Sequence, residues 1–160
     1  MSVKHILFVC TGNSCRSVMA QYCMSRTLQQ AGIDTITVTS AGVFAAEGMG
    51  ATRETQRVLQ DIGVDCEAHR SRSLTTEMVE QADLVFVMEL FHRDEILRRS
   101  LAARDKVHLL KTYGLPAGEA MSRPEIPDPI GKPLEVYEVC FAEIREAVER
   151  LMRLLGVAKA

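Results

Sequence analysis

The 160 residues, of which 47% are hydrophobic, fit a single domain with a substantial core. The 21 acidic and 19 basic residues leave a net charge of −2 and form no block of like charge. We therefore expect neither nucleic acid nor a membrane surface as a partner. The apolar N-terminal run is too short to span a membrane and lacks a secretory cleavage site, and five cysteines are an odd number for a disulfide scaffold. These features predict a cytoplasmic protein with free thiols.

Strand and helix patterns alternate along the chain, which predicts an α/β fold. Strands are expected at residues 4–9, 35–39, 82–88 and 106–110, the second closed by the turn-forming SAG. Helices are expected at residues 17–30, 53–62, 89–100 and 134–155. Residues 82–88 are continuously hydrophobic, which is typical of a central parallel strand covered on both faces. No repeat or second domain is evident, so residues 1–160 are interpreted as one domain, with a proline-rich functional loop at 112–133.

The sequence CTGNSCRS follows the first predicted strand and leads into the first predicted helix. Gly12 and Asn13 tolerate a left-handed backbone, which would turn successive N–H groups inward to bind an anion beside the helix N-terminus. The same field would stabilise a Cys10 thiolate, and the planar fork of Arg16 suits two phosphate oxygens. The predicted phosphate-binding residues are Thr11, Gly12, Asn13, Ser14, Cys15, Arg16 and Ser17.

A cysteine followed six positions later by arginine is weak evidence alone, because the pattern also occurs by chance. Cys66 to Arg72 fits it too, but that segment lacks glycine, carries an acidic residue and does not join a strand to a helix. We reject it as a second active site. The plain alternative for Cys10 is a buried thiol at a strand end.

The segment from Val9 to Ser17 resembles the signature of the low-molecular-weight protein-tyrosine phosphatases. The resemblance continues through SAGVF at 40–44, AHRSR at 68–72, the ADLVFVM strand and Asp128-Pro129, and so covers essentially the whole chain. It implies a four-stranded parallel sheet of order 2-1-3-4, flanked by helices on both faces.

The resemblance also implies the roles of individual residues. Cys10 would be the nucleophile, Arg16 the phosphate clamp and Asp128 the general acid. Ser17 would donate a hydrogen bond to the thiolate. The residues that would brace the loop are Asn13, Ser40 and His69. No metal or cofactor is required, and the four histidines show no ligand spacing with the cysteines.

Independently of the family, Asp128 is a good candidate acid because Pro127 and Pro129 restrict its backbone, although it could be only a turn residue. Cys15 could form a protective disulfide with Cys10, as a second cysteine does at this place in the family, or be a small buried side chain.

The substrate is less well determined than the chemistry. Tyrosine-directed members carry an apolar residue after the nucleophile and aromatic residues after Asp-Pro, whereas this chain has Thr11 and Ile130. These departures resemble the protein-arginine phosphatase branch. We therefore expect a phosphorylated protein as the partner, with either phosphotyrosine or phosphoarginine as the reacting group. Specificity is assigned to Thr11, Phe44 and Ile130.

Three other functions are compatible with part of this pattern. Arsenate reductases share the first loop but use further cysteines near the third strand, and residues 74–100 contain none. A phosphocysteine carrier would need neither the Arg16 clamp nor Asp128, and a noncatalytic phosphate-binding module would need neither a thiolate nor an acid. The predicted ligand of the Cys10 loop is phosphate or another oxyanion.

Overall fold

The computed structural model describes residues 2–119 and 123–157. Four strands, β1 (His5–Cys10), β2 (Thr37–Gly42), β3 (Leu84–Val87) and β4 (Val107–Leu109), pair in parallel in the order β2-β1-β3-β4. The predicted sheet order is confirmed. The helices are α1 (Arg16–Gln30), α2 (Arg53–Gln60), α3 (Thr76–Gln81), α4 (Leu90–Arg99) and α5 (Leu134–Leu154), with a short 3-10 helix at Leu101–Asp105.

Alternation along β1 divides the core into two layers. Ile6 and Phe8 face the side covered by α1, α2 and α5, while Leu7 and Val9 face the side covered by α3 and α4. All four side chains are fully buried. Because β1 and β3 are covered on both faces, their sequences are continuously hydrophobic, as the pattern of residues 82–88 indicated.

Two sequence-based expectations about the elements were wrong. The turn-like SAG belongs to β2, because its backbone continues to pair with β1 as far as the Cys10–Gly42 register. Helix α3 was missed because it is only one and a half turns long; its start is capped by the Thr75 hydroxyl, which accepts a hydrogen bond from the Met78 N–H at 3.2 Å.

The predicted loop at 112–133 contains no α-helix or strand in its described parts, and residues 120–122 lie outside the described residues. It is nevertheless anchored: Ile126 is fully buried and its N–H donates to the carbonyl of Met88 at 2.9 Å. The single-domain expectation for 1–160 likewise includes residues 1 and 158–160, which are outside the described part. No described helix combines the length and apolar character required to span a membrane.

Candidate active site

The loop between β1 and α1 lies at the carboxyl end of the sheet, where parallel α/β folds bind ligands. Asn13 has a φ of 53° and is the one non-glycine residue with positive φ among the described residues. The expected left-handed turn is therefore present at Asn13. Gly12 does not share it, so that part of the expectation was wrong.

The backbone of this loop offers a set of free hydrogen-bond donors. Within the described chain, none of the N–H groups of residues 11–16 donates to a protein acceptor. Nε of Arg16 is also buried and has no partner, and it is the one such buried side-chain nitrogen or oxygen in that part of the chain. Donors of this kind are rarely left unsatisfied, so the loop has the hydrogen-bonding capacity that the predicted phosphate site requires.

Cys10 begins the loop, and its side chain is almost completely buried. Its Sγ lies 3.0 Å from Oγ of Ser17 in the first turn of α1. Nδ2 of Asn13, which can only donate, lies 2.8 Å from the same Oγ. Because Ser17 accepts from Asn13, its own proton is free to point at the sulfur of Cys10.

The side chain and the backbone carbonyl of Asn13 are held by several hydrogen bonds. Nδ2 also donates to Oγ of Ser40 at 2.9 Å, and Oδ1 accepts from the N–H of Arg72 at 3.0 Å. The carbonyl of Asn13 accepts from Nε2 of His69 at 2.8 Å. The structure thus brings Asn13, Ser40 and His69 together behind the loop, and Cys66 to Arg72 supplies two of these contacts rather than a second site.

Burial keeps His69 neutral in this position. Burial lowers its pKa, as do Arg72 and Arg70, whereas the bond to the Asn13 carbonyl raises it; the net shift is downward. A neutral ring carries one N–H group, and in His69 that group is the Nε2–H that donates to the Asn13 carbonyl.

Arg16 is 1% exposed and is tied down from two sides. Nη1 lies 2.8 Å from Oε2 of Glu89 and 2.7 Å from the carbonyl of Ile126. Burial alone would lower the pKa of Arg16, but the charges of Cys10, Glu89 and Asp128 outweigh it and raise the pKa. The guanidinium is therefore a fixed cation, with Nη1 turned away toward its anchors.

Asp128 lies next to the guanidinium group of Arg16. Its Oδ2 lies 3.5 Å from Nη2 of Arg16, and its side chain is 37% exposed. Oδ1 accepts from the N–H of Ile130 at 3.1 Å, which fixes the carboxyl group in a turn between the two neighbouring prolines. Asp128 therefore occupies a turn, as the alternative interpretation of the sequence predicted, and its carboxyl group also lies beside Arg16.

Two side chains predicted to set specificity lie on the surface. Phe44 is 64% exposed and Ile130 is 52% exposed. The N–H of Phe44 donates to the carbonyl of Thr11 at 3.0 Å, which places it next to the loop.

Gly42, at the end of β2, explains how closely strand and loop approach. A Cβ at Gly42 would overlap the Thr11 carbonyl oxygen and lie 2.9 Å from the Asn13 nitrogen. Residue 42 therefore has to be glycine for the loop to keep this path.

Cys15 is buried and occupies the N-cap position of α1, although its side chain makes no capping hydrogen bond. Its Sγ contacts the hydroxyls of Tyr137 at 3.4 Å and Thr52 at 3.6 Å. All five cysteines are free thiols.

The sequence analysis missed Glu89 and His92. Glu89 lies two residues after the end of β3, and ligand-site residues gather at the carboxyl ends of parallel strands, so that position was an available signal. His92 lies one turn later, and its Nε2 is 2.9 Å from Oγ1 of Thr11. In residues 2–119 and 123–157, no group of three or more His, Cys, Asp or Glu side chains is arranged to hold a metal ion.

The chain is similar to a group of known enzymes. Residues 5–159 match the family described as low molecular weight phosphotyrosine protein phosphatase. The chain is 39% identical over 150 residues to a protein-arginine-phosphatase of Geobacillus stearothermophilus, which covers 94% of this chain and 95% of that protein. It is 35% identical over 147 residues to EpsP of Ralstonia nicotianae, a probable low molecular weight protein-tyrosine-phosphatase, with 92% of each chain covered.

A solved structure shares the fold closely. A Cys-to-Ser mutant of the YwlE arginine phosphatase, whose active-site serine is phosphorylated, superposes with a TM-score of 0.86. It is 34% identical, and the alignment covers 95% of each chain.

Proposed function

This chain belongs to the low-molecular-weight protein-tyrosine phosphatase family and is a phosphatase, and from that premise we propose that Cys10 removes phosphate from phosphorylated protein side chains through a cysteinyl-phosphate intermediate. One observation supports the proposal most directly. The N–H groups of residues 11–16 make no hydrogen bond within the described chain, the buried Nε of Arg16 has no partner, and both belong to the loop that begins at Cys10, whose sulfur lies 3.0 Å from the Ser17 hydroxyl. A tetrahedral dianion would satisfy these donors and place its phosphorus next to the nucleophile.

In the first step, the Cys10 thiolate attacks phosphorus in line with the leaving group. The S–P bond forms as the bond to the leaving atom breaks, and Asp128 gives that atom its proton. Arg16 and the loop amides hold the equatorial oxygens while charge redistributes. Because Nη1 of Arg16 is engaged by Glu89, the guanidinium presents Nε and Nη2 to the phosphate.

In the second step, water attacks the phosphocysteine. The new P–O bond forms as the S–P bond breaks, and the Asp128 carboxylate takes the water's proton. Phosphate leaves and the Cys10 thiolate is regenerated, facing the Ser17 hydroxyl again. The same carboxyl group thus serves as acid and then as base.

The reacting group is phosphotyrosine or phosphoarginine. One feature favours phosphoarginine as a second candidate for the main activity: the polar Thr11 hydroxyl, held by His92, lies where tyrosine-directed members carry an apolar wall. The exposed Ile130 likewise provides no aromatic surface for stacking on a phenyl ring. Side-by-side kcat/KM values on phosphotyrosine and phosphoarginine peptides decide between them.

The alternatives to hydrolysis are less well supported. A phosphate carrier or a noncatalytic module would need the loop but not the Asp128 carboxyl group beside Arg16. Arsenate reduction relays electrons through further cysteines, and none occurs in residues 74–100. The free thiols also support work in a reducing compartment such as the cytoplasm.

The experiment is turnover of para-nitrophenyl phosphate by wild type and three variants: Cys10→Ser, Arg16→Lys and Asp128→Asn. We expect Cys10→Ser to lose all measurable activity and Arg16→Lys to lose about 10³-fold, because lysine cannot form the two-point clamp. Cys66→Ala, in the rejected motif, is the matched control and should keep its activity. Activity in Cys10→Ser equal to wild type would exclude the covalent mechanism.

A further inference from the structure

The hydroxyl of Thr11 is in contact with two nitrogen donors. Its Oγ1 lies 2.9 Å from Nε2 of His92 and 3.4 Å from Nη2 of Arg16. Arg16 has no acceptor capacity, so in that contact Thr11 accepts. The remaining question is which way the hydrogen bond to His92 runs.

The hydrogen bond at Nδ1, the other ring nitrogen of His92, determines this direction. The backbone N–H of Glu89 lies 3.0 Å from Nδ1 of His92, so Nδ1 must be the acceptor and carry no proton. Burial, with the positive charge of Arg16, lowers the pKa of His92 to about 3, and the ring is neutral at physiological pH. A neutral ring without a proton on Nδ1 carries it on Nε2. His92 therefore donates to Thr11.

Both lone pairs of Thr11 are then occupied, and its own proton has to point elsewhere. Nη2 of Arg16 contacts the Thr11 hydroxyl and also lies 3.5 Å from Oδ2 of Asp128. The hydroxyl group therefore lies on the same side of the guanidinium as the Asp128 carboxyl group. A phosphoryl group bound beside Arg16 would bring an oxygen acceptor to that place.

We propose that His92 is a positioning residue that makes the Thr11 hydroxyl a fixed hydrogen-bond donor to a phosphoryl oxygen. The inference rests on the proposed function, since it assigns a further contact of the same site. It also restricts how Thr11 could favour phosphoarginine: a hydroxyl whose lone pairs are filled does not accept an N–H from the guanidinium, so the preference would come from the absence of an apolar wall and not from a direct hydrogen bond. The competing explanation is that His92 serves only the capping box at the start of α4.

The test is a double-mutant cycle read out as inhibition by inorganic phosphate. Thr11→Val removes the hydroxyl and keeps the shape. His92→Asn keeps an acceptor for the Glu89 N–H but is too short to reach Thr11, whereas His92→Gln extends an amide toward it. We expect the phosphate inhibition constant to rise about tenfold in Thr11→Val and in His92→Asn, and the double variant to be no worse than Thr11→Val alone.

Thr11→Ser and His92→Gln should recover most of the loss, which a purely structural capping role does not predict. If the effects of Thr11→Val and His92→Asn multiply, or if His92→Asn lowers only the unfolding temperature, the proposal is wrong.

A second measurement needs neither a variant nor turnover. Nitrogen NMR of the His92 ring in the wild-type protein should show a protonated Nε2 and a bare Nδ1 throughout pH 5–8. A bare Nε2 overturns the proposal even if the His92 variants do not fold. Phosphate binding measured by calorimetry tests the two hypotheses separately. A wild-type protein that binds phosphate without hydrolysing esters contradicts the proposed function. The mutant cycle can then still be completed with the phosphate dissociation constant as its readout.

Discussion

Oε2 of Glu89 lies 2.8 Å from Nη1 of Arg16, so the cation of the phosphate loop is held by a carboxylate at the start of α4. Removing one partner of a largely buried ion pair leaves the other charge uncompensated. We expect Glu89→Ala to lower kcat/KM for para-nitrophenyl phosphate about 10²-fold, equivalent to about 2.7 kcal/mol. Glu77→Ala, at an exposed carboxylate in α3, is the control. A Glu89→Ala enzyme with wild-type kcat/KM would show that Ile126 alone positions Arg16.

The placement of Asp128 beside Arg16 predicts how its loss depends on the substrate. A general acid matters most when the leaving group is a poor one, and its contribution is about 10²- to 10⁴-fold. Asp128→Asn should therefore lose far more kcat/KM, which reports the phosphorylation of Cys10 and not the later hydrolysis, on phenyl phosphate than on para-nitrophenyl phosphate, whose phenolate leaves without a proton. Steady-state kinetics on the two esters measure this, with Asp105→Asn as the exposed control. An equal loss of kcat/KM on both esters would exclude Asp128 as the general acid of the first step.

How much of this site the sequence predicts depends on whether the contacts are local. The loop, its preceding strand and its following helix are contiguous, so Cys10 and Arg16 could be placed from the motif. Glu89 and His92 reach the loop from more than 70 positions away, and only the pairing of β1 with β3 brings them there. The left-handed turn was expected at Gly12 as well as at Asn13 because glycine permits that backbone without requiring it.

Gly42 is expected to tolerate no side chain, because its Cβ would overlap the backbone of Thr11 and Asn13. Gly42→Ala should weaken phosphate inhibition at least tenfold and lower the unfolding temperature by several degrees, as overpacking costs about 1–3 kcal/mol. Gly118→Ala is a matched control, since nothing lies within 4 Å of a Cβ there. Calorimetry and phosphate inhibition on both variants test this. Wild-type behaviour of Gly42→Ala would mean that the loop shifts freely.

Cys15 remains a predicted redox partner of Cys10. Peroxide would convert the Cys10 thiolate to a sulfenic acid, and attack by the Cys15 sulfur would form the disulfide and release water. Cys15 would first have to leave its contacts with Tyr137 and Thr52. Mass spectrometry after mild peroxide should find the Cys10–Cys15 bridge and full recovery of activity with a reductant, while Cys15→Ser should accumulate sulfinic acid at Cys10. Cys140→Ser should behave as wild type; overoxidised Cys10 in wild type without any bridge would refute the prediction.

The buried ring of His92 predicts how stability changes in acid. Its pKa is about 3 in the folded protein against an ordinary value of 6.5, and burial is the main cause. Between these values the unfolded chain binds a proton that the folded chain does not, so His92 makes stability fall as the pH drops from about 6.5 toward 3. The slope from this one group is about 1.4 kcal/mol per pH unit.

The variant His92→Gln has no proton to bind at this position. Its free energy of unfolding in urea should fall less steeply between pH 6 and pH 4 than that of wild type, so that the difference between the two proteins changes by about 1.4 kcal/mol per unit. Other acid-sensitive groups, including His69, are common to both chains and cancel in the difference. Parallel curves would mean that the folded protein protonates His92 as readily as the unfolded chain does. The ring would then be a neutral donor to Thr11 only above about pH 6.5.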